Sequence, residues 1–563
     1  MNGNFITETQ RHGVLKNSNP KAVTNQGFLF WLYFSLCLCA AAINLSCSSK
    51  PTDMRSLAPN DALVYLETKD LGAMLQTLTE NKAWESLAKE KTDFSQLKNI
   101  QVAVVVTGFE ASEKPITNES SVLNFKPHFA AIADTRQWKS TAVSIAETEI
   151  GKFVRKNYGD DARLEKLEKD DAKFFVWTSA DGARKFFAAV SGSVIYAGND
   201  ESLLDKCLAV RRGAAESLAK NENLARARET ADAENKIAFG YVSPEGIAQI
   251  ANLVGISTAI EASEEDLPRS FIAKILPEIV RKTAREIVWT AQKNEQGIED
   301  KIFVKTDAET ASVFKETLQS KTENQTSAAD YLPVQFDSIT RYNLQNPQLA
   351  WRSVLLVAAK QTDAGSAKIL TGVSGAFFEP YGIADGETFL SAIDSPVFTA
   401  RFDEDGEKSV VIAQIKDTEK LKKSITKEIN FKPAPEKVGD ASVWKSADGD
   451  SAAAFVENNL VILGERQSLL DCLQAKMSNQ NFAKTLQFQS SRQRSAASVS
   501  VKKDEETAQE IVEILGNAKE ENKQYAGFYT TETRFANGGI ERRTISDFGL
   551  IGMIVEKFDD SGR

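Results

Sequence analysis

Histidine occurs twice in this chain of 563 residues, at His12 and His128. That scarcity limits the reactions its side chains could perform. A Ser-His-Asp or Cys-His arrangement needs an imidazole base, and only His128 lies beyond the N-terminal apolar segment. It follows Pro127 and opens the strand pattern Phe129–Ala133, a setting that suits a strand-edge histidine better than a general base. Zinc sites built on several histidines are excluded by count. Cys207 and Cys472 are the only thiols outside the N-terminal region, too few for a disulfide framework, and no C-x-x-C pair exists. Counting from the glycine that ends the preceding strand pattern sets Cys207 against Leu473 and Cys472 against Lys206. Cys207 is therefore expected to be buried and inert, and Cys472 less buried.

Carboxylates are abundant but unfocused. Asp403-Glu404-Asp405-Gly406-Glu407 and Asp448-Gly449-Asp450 superficially suggest calcium. Neither has the full loop with a closing bidentate glutamate, and the first lies between two strand patterns, where a hairpin needs an Asp-Gly turn. A glycosidase-type pair finds no two residues singled out. Phosphate loops, G-x-S-x-G elbows, H-E-x-x-H and dinucleotide fingerprints are missing. No catalytic residue, cofactor or metal ligand is therefore assigned.

What the chain does contain is an echo. Val176–Gly182 reads V-W-T-S-A-D-G and Val443–Gly449 reads V-W-K-S-A-D-G. Each is followed by an apolar strand pattern, a glycine (Gly198, Gly464) and S-L-L-D (Ser202–Asp205, Ser468–Asp471). The match extends upstream, where Ile132-Ala133-Asp134-Thr135 answers to Ile415-Lys416-Asp417-Thr418. Downstream, G-I-E recurs at Gly297 and Gly539. Such self-similarity signals an internal duplication. The expected organisation is a leader with an apolar segment over residues 1–55, a first repeat over 56–321, a polar linker over 322–330 and a second repeat over 331–563, each repeat folding around its own interior.

Within a repeat the elements are legible. Ala62–Glu67 alternates as a strand, and Asp70 is placed to cap a helix with Leu71, Met74, Leu75 and Leu78 on one face. Val102–Val106 is a continuous apolar run, as a central strand covered on both faces would be. Asp181-Gly182 joins two strands as a hairpin, and Asn199 or Asp200 then caps a helix burying Leu203, Leu204 and Cys207. Tight turns between consecutive strands, with helices between sets, predict an α+β fold of mainly antiparallel sheet with flanking helices, twice repeated.

Phe28–Ile43 is an unbroken apolar or small-residue run preceded by Arg11, Lys16 and Lys21, the pattern of an export signal or anchor helix. Three outcomes stay open. Leu45-Ser46-Cys47 resembles a lipoprotein signal end, which makes Cys47 the lipidation candidate. Ala40-Ala41-Ala42 offers an ordinary cleavage site, and an uncleaved single anchor is the third outcome. All three export the rest of the chain. With 42% apolar and 26% charged residues and a net charge of −10, the exported part has the composition of a folded globular protein. No basic stripe marks it for nucleic acid.

Leu57-Ala58-Pro59-Asn60-Asp61-Ala62-Leu63-Val64-Tyr65-Leu66-Glu67 resembles the opening of a family of exported bacterial proteins of unknown function, which begin just past a signal or anchor with a Pro-x-Asp-x-hydrophobic-x-Tyr phrase. The resemblance implies the cell envelope and an α+β repeat, with no activity to transfer. The second repeat lacks that phrase, which leaves its first strand unassigned. The expected function is a non-enzymatic envelope protein, membrane-anchored or a lipoprotein, acting as a binding or scaffold module. Its partners would be the membrane, through the N-terminus, and another envelope protein. The alternatives are a carrier of an apolar ligand in a cavity lined by residues such as Phe125, Phe129, Phe377 and Phe378, and a carboxylate-dependent hydrolase.

Overall fold

A computed structural model describes residues 51–556, apart from 91, 116–120, 262–266, 322–326, 457–458, 493, 505–506, 515–518, 520–524 and 526. The signal or anchor segment and Cys47 therefore lie outside the described residues. Among those described, no helix is long and apolar enough to cross a membrane.

The described residues form a mixed helix-and-sheet fold around one antiparallel sheet of twenty strands. The strands up to residue 306 are β1 (Val64–Thr68), β2 (Gln101–Pro115), β3 (Ser121–Asp134), β4 (Arg163–Lys169), β5 (Ala172–Thr178), β6 (Lys185–Ser191), β7 (Val194–Gly198), β8 (Ala238–Val242), β9 (Ala284–Asn294) and β10 (Gly297–Thr306). Those that follow are β11 (Ser338–Tyr342), β12 (Ile393–Arg401), β13 (Ser409–Ile415), β14 (Glu436–Val438), β15 (Ala441–Lys445), β16 (Ser451–Val456), β17 (Leu460–Glu465), β18 (Ser498–Asp504), β19 (Gly527–Ala536) and β20 (Gly539–Ser546).

From one edge the order runs β4, β5, β6, β7, β3, β2, β1, β8, β9, β10. From the other edge it runs β14, β15, β16, β17, β13, β12, β11, β18, β19, β20. Adding ten to each label of the first series gives the second. The two series meet at β10 and β20. Their register reads the same from either side: Ile298 faces Ser546 while Ile540 faces Val304, and Glu299 faces Ile545 while Glu541 faces Phe303. The centre of this exchange is Lys301 opposite Arg543. β11, with no sequence phrase to announce it, occupies the place in its half that β1 holds in the other.

Alternation along the strands explains the layering. Val102, Val104 and Val106 of β2 enter one core while Ala103 and Val105 enter the core on the opposite face, so the apolar run is covered on both sides as expected. Asp70 accepts the Ala73 N–H at 2.9 Å and caps the helix Leu71–Leu78, whose Leu71, Met74, Leu75 and Leu78 join the first of these cores.

Two expectations need correction. The interiors are not separate, because Ala508, Ile511, Val512, Phe548 and Ile551 belong to the core of Trp84, Val104 and Trp289. The helices Thr507–Ile514 and Gly549–Glu556 thus cross the junction and roof the other half. The linker is also shorter than expected. Ser327–Tyr331 forms a 3-10 turn whose Ala328, Ala329 and Tyr331 pack with Ile339 and Cys472, since small apolar residues beside a tyrosine carry enough surface to hold the turn down.

Candidate binding cleft

The recurring S-A-D-G is a turn. Ser179 Oγ donates to Asp181 at 2.5 Å and accepts the Arg184 N–H at 3.0 Å. Ser446 Oγ likewise donates to Asp448 and accepts the Ser451 N–H at 3.0 Å. Gly182 and Gly449 take the positive φ that closes each hairpin, 72° and 90°. The cluster at Asp403 is also a turn, in which Asp403 accepts the Gly406 N–H at 2.9 Å. No group of three or more acidic, histidine or cysteine side chains that could hold a metal occurs among the described residues.

His128 lies between two carboxylates, with Nδ1 2.7 Å from Asp200 and Nε2 3.0 Å from Glu110. Asp200 also caps the helix Glu201–Arg211 through the Leu203 N–H. The imidazole therefore ties a strand to a helix start.

Both cysteines are free and fully buried, and burial pushes both thiols up. The expectation of a less buried Cys472 is overturned by the cap. Glu465, one residue earlier in the repeat alignment than Asp200, accepts the Gln467 and Ser468 N–H groups at 2.7 Å. Starting the helix Arg466–Ser478 one residue sooner turns its inward face by about 100°, so Ser468, Leu469, Cys472 and Leu473 point to the core.

The phenylalanines proposed for an apolar cavity do not converge. Phe129 is core and packs on Phe186, whereas Phe377 is 54% exposed and packs with Phe378 around Trp351. The side chain of Phe125 lies outside the described residues.

The feature that no sequence motif announced is an open cleft of about 1440 Å³ on the sheet face beside the junction. A cross-strand row of polar groups forms its floor. Thr340 of β11 faces Ser500 of β18, Ser500 faces Thr531 of β19, Thr531 faces Thr544 of β20, and Thr544 faces Asp300 of β10. Thr340 and Ser500 hydroxyls lie 2.8 Å apart, and those of Thr531 and Thr544 lie 3.0 Å apart. Lys502, Tyr529 and Arg542 add polar groups on the neighbouring rows, and the roof helices contribute Thr507, Leu550 and Met553 to one wall.

The matching row in the other half is apolar. Leu66 faces Gly240, Gly240 faces Trp289, Trp289 faces Ile302, and Ile302 faces Arg542. Leu66, Trp289 and Ile302 pack into the roofed core. A Cβ on Gly240 would come within 2.9 Å of the Trp289 ring and 2.8 Å of Leu66, so glycine there lets the indole lie flat. No family model, curated protein or solved structure matches the chain.

Asp300 is the cleft carboxyl with the most perturbed setting, raised to about 6 chiefly by burial and further by Glu299, against hydrogen bonds that oppose the rise. Both its oxygens are occupied: Oδ1 accepts the Trp289 indole N–H at 2.8 Å and Oδ2 the Leu550 N–H at 2.6 Å. It fastens the helix Gly549–Glu556 to the sheet rather than presenting a reactive oxygen. The one signal in the sequence was a difference between the halves. S-I-T in β11, S-V-S in β18 and T-I-S in β20 place hydroxyls at period two, where β1, β8 and β10 carry apolar residues or glycine.

Proposed function

We propose that the chain is a non-enzymatic cell-envelope protein, a duplicated α+β unit held at a membrane by its N-terminal segment, which binds another envelope component in the hydroxyl-floored cleft. The apolar run Phe28–Ile43 with its basic flank, the Cys47 signal end and the resemblance at Leu57–Glu67 support the location. The observation that carries the binding role is the contrast between the two rows. One half buries its row under helices, while the other keeps it polar and lining a concave cleft. Ligands bind in concave sites whose placed polar groups fix their orientation.

The same floor disfavours an apolar cargo, which would leave those hydroxyls without water. Hydrolysis finds no support in Asp300, each of whose oxygens already accepts a hydrogen bond that holds the fold.

Full-length protein from native membranes tests both parts. Mass spectrometry of its N-terminal peptide should find a diacylated Cys47 or a retained apolar segment. A Ser500→Phe plug should abolish co-purification of the envelope component that the unmodified chain retains. Retention unchanged by the plug would remove the cleft from the reading.

A further inference from the structure

Resting on the cleft as the binding site, we infer that its ligand is an uncharged glycan chain lying across β11, β18, β19 and β20 along the hydroxyl row. Neighbouring strands are about 4.8 Å apart, so Thr340, Ser500, Thr531 and Thr544 recur at nearly the rise of one pyranose unit in an extended glycan. Within each bonded pair one hydroxyl keeps its proton to donate and both keep a lone pair to accept, which suits the mixed donor and acceptor edge of a sugar ring. Tyr529, which shares the cleft-facing side of β19 with Thr531, adds a flat amphipathic ring of the kind that covers a sugar's C–H face.

Other ligand classes fit less well. An extended peptide joins a sheet by pairing with an exposed edge, but β18 and β19 each have a strand on both sides. Polyanions are disfavoured because carboxylates of the lining, Asp337, Asp403, Glu404 and Asp471 among them, outnumber its cations. The vacancy also has the right shape. In the other half the same row is covered by helices, whereas here it lines an open cleft of about 1440 Å³, room enough for a single polymer strand.

The test is calorimetry of the full chain in detergent with soluble cello-, xylo- and chito-oligosaccharides long enough to cross the four strands, beside polygalacturonate as anionic comparison. Binding of at least one neutral oligosaccharide, unchanged by salt, is expected. Thr531→Val and Thr544→Val should each weaken it about 3- to 10-fold. Lys445→Ala, exposed and outside the cleft, should leave it unchanged, and thermal melts should show all three variants folded. Preference for polygalacturonate, or neutral binding that ignores both valine variants, overturns the assignment. If no oligosaccharide binds while the Ser500→Phe plug still abolishes retention of envelope material, the glycan is wrong and the cleft stands. If the plug has no effect, both readings fall together.

Discussion

Lys301 and Arg543 are direct cross-strand partners at the centre of the sheet, and each reaches the carboxylate that precedes the other by two residues. Lys301 Nζ lies 2.8 Å from Glu541, and Arg543 lies 2.5 Å from Glu299. Two like charges set opposite one another would repel, and the diagonal carboxylates turn that repulsion into a pair of reciprocal bridges across the seam. Burial alone would raise both carboxyls, yet the cations hold Glu299 and Glu541 below their ordinary range.

The two sides of each bridge differ in exposure: Glu541 is 4% exposed and Lys301 46%. Removing the lysine strands a buried carboxylate, whereas removing the carboxylate frees a lysine to find water. Arg534 also bridges Glu541, so Lys301→Met combined with Arg534→Met should cost roughly 1–3 kcal/mol, more than Glu541→Gln. Urea denaturation midpoints check the order.

A second buried pair predicts a larger effect. Arg228 bridges Glu67 on β1 and Glu234 and stacks on the Phe239 ring at 5.3 Å, while Tyr65 donates to Glu67 at 2.6 Å. Arg228→Met leaves the Glu67 carboxylate inside without its cation and should cost about 3–5 kcal/mol. Glu67→Gln combined with Arg228→Met should recover much of that loss in the same denaturation assay.

Gly198, which ends β7, and Gly464, next to last in β17, are fixed by close approach. A Cβ on Gly198 would lie 2.1 Å from the Phe129 carbonyl oxygen, and one on Gly464 2.1 Å from that of Ser409, with φ at 146° as a further obstacle. Gly198→Ala and Gly464→Ala should each cost about 3 kcal/mol. Gly182→Ala and Gly449→Ala, which meet nothing within 4 Å, should cost about 1–2 kcal/mol for the left-handed backbone alone. Thermal melts of the four variants separate the two causes.

Asp300 sets a pH dependence. Its folded-state value of about 6 stands above the ordinary 3.8, so the native state holds the proton more tightly. Its stabilising contribution is full below 3.8 and is lost as pH rises through about 6. Asp547, also raised to about 6, acts in the same direction. Glu299 and Glu541, held low, act in the opposite sense: their contribution is present above 4.5 and is lost as pH falls below it. Stability should therefore decline between about pH 5 and about pH 7.5, by roughly 1.4 kcal/mol per raised group. Asp300→Asn should flatten that slope, and denaturation at the two pH values measures it.

Cys207 and Cys472 should resist alkylation equally in the folded protein and react together on denaturation. Peptide-level mass spectrometry after iodoacetamide treatment would read both sites.

The sequence by itself determined the local chemistry and its recurrence. The Asp-Gly turns, the Asp70 cap, the apolar run of β2 and the paired S-L-L-D helices depend on near neighbours and on periods of two or 3.6 residues, which a linear chain displays directly. Only the tertiary structure decided what lies across from what. The joining of both strand series into one sheet, the roofing of one half by Thr507–Ile514 and Gly549–Glu556, and the burial of Cys472 all depend on pairings between distant segments or on a one-residue shift in a helix start. The cleft arose the same way. Thr340, Ser500, Thr531 and Thr544 are commonplace strand residues one at a time, and they become a site because antiparallel register aligns them in one row along the cleft.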